Sequence, residues 1–154
     1  MSQPRLPRKR RVEDADRMKL TEPTFTDEDW EDFNRGIQLF NAGKFWHAHE
    51  AWEQVWRRHH EESRLFIQGL IQMAAAFHLM IEKRRLAGAL SNFEKALTRL
   101  RLFEPSFFDL PVTDYVKAIE QARAEIRRRE RGETKETDLT VAPVIVFLGK
   151  NRTG

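Results

Sequence analysis

Displaced by 41 residues, the chain partly overlays itself: Phe45, Ala48, Trp52, Glu53 and Trp56 fall on Leu86, Ala89, Phe93, Glu94 and Leu97. In both copies large apolar residues recur every three or four positions, the period of one helix face. A small residue, Ala48 or Ala89, stands where two helices can approach closely. Each copy therefore reads as a helical hairpin, two antiparallel helices joined by a short turn, and the repeat limits the fold to an all-α arrangement.

The punctuation along the chain predicts five helices. "TDED" from Thr26 is a capping box with acidic residues in the first turn, and Trp30, Phe33, Ile37 and Phe40 then mark one apolar face. Gly43 reads as a left-handed stop. A second helix follows from about Lys44 to His60, and Ser63 reads as the cap of a third that is apolar on most of its circumference from Leu65 to Ile81. Such a helix belongs at the centre of a bundle. A fourth runs from about Ala87 to Leu102; after the loop "FEPSFFDLP", with its two phenylalanines expected to tuck under the bundle, Thr113 reads as the cap of a fifth that ends in "RRRERGE". The spacing is similar to that of tetratricopeptide-type repeats, which need at least three copies to form a solenoid. Two copies predict a closed bundle.

The expected domains are a flexible basic arm over 1–24, the bundle over 25–131, and an extended tail over 132–154 packing on it. "LTVAPVIVFLGK" in that tail is β-branched but interrupted by Pro143, with a short edge strand as the alternative reading.

The formal net charge of +3 owes much to Arg5, Arg8, Lys9, Arg10 and Arg11. It describes a tail more than a binding face, so nucleic-acid contact is not expected beyond the arm. The arm also carries Glu13, Asp14 and Asp16 and lacks an apolar segment, unlike a secretory or transit peptide. No apolar run approaches the roughly 20 residues that span a bilayer. Cysteine is absent, which excludes thiolate metal sites and cysteine nucleophiles and fits a cytoplasmic location.

Chemistry concentrates in "KFWHAHEAWEQVW", residues 44–56, which holds three of the four tryptophans. The repeat explains Phe45, Ala48, Trp52 and Trp56 as packing positions. His49 overlies Leu90, so the repeat does not require its polarity. At about 100° per residue His49, Glu53 and Trp56 share a stripe flanked by Trp46 and Trp52, whereas Glu50 and His47 turn toward the rim or solvent. On the third helix Gln68, Gln72 and His78 stand among apolar residues and need partners, with His49 and Glu53 the nearest candidates. His59 and His60 read as capping or solvated residues.

Three readings fit this cluster. His49, Glu53 and His78, with Glu50 as a base, could ligate a divalent metal such as zinc, manganese or iron that activates water. Glu53 could orient His49 as a metal-free general base. The third reading is a buried network in which Glu53 accepts from His49, Gln72 or Arg57 and fixes helix register. "HEAWE" is not the HExxH zinc signature, because Glu53 stands where the second histidine belongs.

"GKFWHAHEAWEQVW", "FIQGLIQMAAAFHLM" and "RLAGALSNFEKALTRL" together resemble domain of unknown function family 309, small all-helical proteins labelled predicted metal-dependent hydrolases. The resemblance spans roughly residues 30–125. It implies a polar motif of His49, Glu50, Glu53, Trp56, Gln68, Gln72 and His78. This chain has "LPVTDY" where the family commonly has a "GID"-like stretch. A metal-assisted hydrolase is the function so implied; the alternative is a non-enzymatic interaction module offering a groove to a small molecule or peptide. Dimerisation through apolar surface left by the short repeat is a further expectation.

Overall fold

The computed structural model describes residues 20–132. The basic cluster of the arm and nearly all of the predicted tail lie outside the described residues.

Thr26 opens α1 (Asp27–Asn41) with both halves of its capping box: its Oγ1 accepts from the Asp29 N–H, and Asp29 Oδ2 accepts from the Thr26 N–H, each at 3.1 Å. The helix ends in a Schellman turn. The Lys44 N–H donates to Leu39 O at 2.8 Å and the Gly43 N–H to Phe40 O at 3.0 Å, with Gly43 at φ +78°. A residue with a Cβ holds that left-handed conformation at a cost of roughly 1–2 kcal/mol.

Four further helices follow: α2 (Phe45–Arg58), α3 (Arg64–Phe77), α4 (Leu86–Leu100) and α5 (Val112–Glu130). A π-helical turn, His78–Glu82, extends α3, and a 3-10 turn, Arg101–Phe103, extends α4. Consecutive helices pack on one another, with α3 held between α2 and α4. The architecture is the expected all-α bundle; among the described residues there is no strand, only an isolated bridge between Phe107 and Leu110.

The turn between α3 and α4 copies the one between α1 and α2. Arg84, at φ +54°, takes the place of Gly43, and the N–H groups of Ala48 and Ala89 reach Lys44 O and Arg85 O at the same 3.0 Å. One detail differs. The Arg85 N–H reaches back to Leu79 O rather than to Met80 O, the counterpart of Leu39. The loop closed there is one residue longer, and the wider π turn takes up the excess.

Trp52 locks α1 to α2. It is fully buried, and its Nε1 donates to Phe33 O at 3.1 Å. Gly36 makes room for it, since a Cβ there would stand 2.2 Å from Trp52 Nε1. Gly69 likewise admits Leu100, which a Cβ would meet at 2.8 Å.

Several local expectations are corrected. Ser63 stands at the N-cap of α3 but makes no capping bond, because its backbone is already helical and its side chain is buried. Thr113 lies inside α5, whose N-cap position is Pro111; the Thr113 N–H donates to Pro105 O instead. Leu20 and Phe25 lie against the core, and Glu22 accepts from the Phe108 N–H at 2.7 Å. Phe107 and Phe108 are buried as expected. The segment Arg64–Glu82 is long and apolar enough to cross a membrane, but 67% of it is buried in the bundle, so its central position accounts for its apolarity.

Candidate functional site

The stripe on α2 and the less buried side of α3 form one face. At one end Trp46 stacks on His49, with ring centroids 4.6 Å apart and planes 8° apart, and packs against His78 at 5.2 Å. At the other end the guanidinium of Arg64 lies over the ring of Trp56, 4.4 Å from its centroid. These two contacts fix the antiparallel register of α2 on α3. Gln68 follows Arg64 by one turn on the same side of α3.

Each histidine of this face has a glutamate one turn later on its own helix. His49 Nδ1 is 3.5 Å from Glu53 Oε2, and His78 Nδ1 is 3.0 Å from Glu82 Oε2. The π turn presents the second pair, since it spans His78 to Glu82. Glu53 also meets Arg57 at 3.4 Å, as expected, but Gln72 does not join it. Gln72 instead accepts from Arg99 on α4 at 3.3 Å. Gln68 is 3% exposed, and neither its oxygen nor its nitrogen has a partner among the described residues; the same is true of Trp56 Nε1. The predicted cluster is therefore split. His49, Glu53 and His78 gather around Trp46, Gln72 belongs to the α3–α4 seam, and Glu50 turns to the other side of α2, where it lies 3.4 Å from His47.

Among the described residues no group of three or more histidine, aspartate or glutamate side chains is placed to hold a metal ion. The Nδ1 atom of each histidine faces its own glutamate, and both rings pack on an indole. What the face offers is a half-exposed aromatic ring, Trp46 at 45%, packed on two histidines that each pair with a glutamate.

A second polar cluster escaped the sequence reading. Arg58 donates through Nε to Asp29 at 2.7 Å, through Nη2 to Asp32 at 2.6 Å and through Nη1 to Glu28 at 3.1 Å. His59, read from sequence as capping or solvated, is clasped by Asp29 and Glu61. Burial pushes the Asp29 carboxyl up, but the Thr26 N–H, the His59 hydrogen bond and charge, and Arg58 outweigh it and hold it below its ordinary value. Glu61 is likewise lowered: burial raises it, while its own backbone N–H, His59 and the His60 N–H together prevail. The local signal for the first cluster was present, since "HLMIE" repeats the His-to-Glu spacing of "HEAWE". The second joins residues about thirty positions apart and has no local signal beyond the capping box.

Residues 33–92 match the sequence model of the family described as Domain of unknown function (DUF309). Over that stretch, which carries every residue of the α2–α3 face, the chain resembles this family. The match ends within α4 and leaves out α5, which the resemblance read from sequence had included. No curated protein and no solved structure matches the chain.

Proposed function

Taking as premise the resemblance to the DUF309 family, whose description names no activity, we propose that this bundle is a non-enzymatic binding module whose α2–α3 face receives a basic segment of a partner protein. The observation that carries this reading is Trp46, the large apolar side chain left exposed among the described residues. The two histidines that pack on its indole, His49 and His78, each carry a paired carboxylate, Glu53 and Glu82. An indole face attracts a guanidinium or ammonium group by about 0.5–1 kcal/mol when exposed, and neighbouring carboxylates add charge-assisted hydrogen bonds. Side-chain exposures of 17% for His49 and 32% for Glu53 leave the pair within reach of such a group. A cysteine-free module of this kind suits the cytoplasm.

The test is titration with an arginine-rich peptide and with an acidic peptide of equal length, followed through the Trp46 indole N–H resonance. The basic peptide should shift it saturably, Trp46→Ala should weaken binding roughly two- to fivefold, and the acidic peptide should have no effect. Equal binding of both peptides, or no loss in Trp46→Ala, would sink the reading.

The metal-assisted hydrolase implied by the resemblance read from the sequence is the second reading. What favours it is that His49, Glu53 and His78 open onto one face, although they are not placed as a metal-binding set. Metal analysis of protein purified without a histidine tag decides it: bound metal that is lost in His49→Ala would support the hydrolase over the binding module.

A further inference from the structure

Roughly a third of a turn round α2 from the His49–Glu53 stripe, a cavity of about 380 Å³ opens between α1 and α2. This lies within the range of small-molecule sites, about 300–1,000 Å³. Its apolar lining is Leu39 and Ala51. Its walls differ in charge: Arg35 from α1 and Lys44 from the turn are cationic, while α2 supplies Glu50, the imidazole of His47 and the amide of Gln54.

The opposite charges do not neutralise one another across the opening. Arg35 is held by Asp32 on its own helix at 2.8 Å, and Glu50 is held beside His47 at 3.4 Å. Among the described residues no ion pair joins Arg35 or Lys44 to Glu50. The side chains are thus set in advance to meet a ligand carrying both signs, with an apolar part to lie on Leu39 and Ala51.

We propose that this cavity is a binding site for a small zwitterion of the α-amino acid class, its carboxylate toward Arg35 and Lys44 and its ammonium toward Glu50. The site is independent of the α2–α3 face, and a ligand with only one of the two charges would leave one wall unmet.

Three probes separate the possibilities on the full-length chain: leucine, N-acetyl-leucine, which keeps only the carboxylate, and leucinamide, which keeps only the ammonium. Followed by backbone amide shifts, leucine should perturb Arg35, Lys44, Glu50 and Gln54 saturably. The two blocked forms should bind roughly tenfold or more weakly, the scale of one lost charge-assisted hydrogen bond. Arg35→Gln and Glu50→Gln should each weaken leucine by a similar factor, with helical circular dichroism unchanged because both side chains are on the surface. N-acetyl-leucine binding as tightly as leucine would make this an anion site, leucinamide doing so would make it a cation site, and the absence of a saturable shift with leucine would remove the site. Each of these outcomes overturns the proposal.

Discussion

His59 Nε2 lies 2.9 Å from Oδ2 of Asp29, thirty residues earlier, while its Nδ1 lies 2.6 Å from Glu61. Each ring nitrogen thus faces a carboxylate, one from α1 and one from the segment after α2. Together with Arg58 the histidine pins the C-terminal end of α2 to the first turn of α1, so the hairpin is closed at one end by charge and at the other by the Gly43 turn.

Stability should fall on acidification because of this clasp. Asp29 and Glu61 both have lowered pKa values in the folded chain. Near the ordinary carboxylate pKa, about 4, the unfolded chain binds more protons than the folded one, so stability rises with pH there. The contribution is complete above that range and is lost as pH falls through the lowered values. Urea unfolding at a series of pH values should show the midpoint dropping below about pH 4, with a shallower drop in Asp29→Asn. Identical acid profiles for the two proteins would exclude the clasp as the cause. Arg58→Ala should cost about 1–3 kcal/mol at neutral pH, because it leaves Asp29 and Asp32 buried beside one another with fewer donors.

Gly36 and Trp52 should behave as one unit. Helix propensity alone would make Gly36→Ala stabilising by about 1 kcal/mol. Here the new methyl would stand 2.2 Å from Trp52 Nε1, so a net loss of about 3 kcal/mol is expected from overpacking and from disturbance of the bond to Phe33 O. Combining Gly36→Ala with Trp52→Leu should cost less than the sum of the two single changes, as a double-mutant cycle in urea will measure. Additivity would show that the two sites do not share the strain.

The fold was legible because its information is periodic and local. The apolar stripe of Trp30, Phe33, Ile37 and Phe40, the capping box at Thr26 and the stop at Gly43 each act over one or two turns of chain, which a sequence displays directly. The caps assigned to Ser63 and Thr113 failed for the opposite reason. Whether a hydroxyl caps depends on the backbone angle at that residue, and at Ser63 that angle is helical. The candidate site was half legible: the His49–Glu53 pair follows from helix geometry, but the departure of Gln72 to Arg99 and the capture of His59 by Asp29 depend on how helices pack, which spacing does not encode.

The two copied turns supply a stability prediction of opposite sign at equivalent positions. Gly43 and Arg84 both have positive φ, +78° and +54°, but only arginine suffers from its Cβ there. Arg84→Gly should raise stability by about 1 kcal/mol and Gly43→Ala should lower it by about the same. Thermal unfolding of the two variants checks this, and a destabilised Arg84→Gly would mean that the arginine side chain contributes more than its backbone strain costs.

Gln68 offers the sharpest separation of structure from function on the α2–α3 face. It is buried one turn from Arg64 with neither amide atom partnered among the described residues, and an unmet buried amide costs about 1–3 kcal/mol. Gln68→Met keeps the volume and removes that cost, so it should stabilise the chain by roughly 1 kcal/mol. Gln72→Met should not, because it discards the bond from Arg99. If Gln68 instead found a partner in His49 or Glu53, the candidates the sequence offered, Gln68→Met would destabilise the chain. Urea midpoints of the two variants, measured beside the unaltered protein, therefore decide between a strut and a group whose polarity the fold itself does not use.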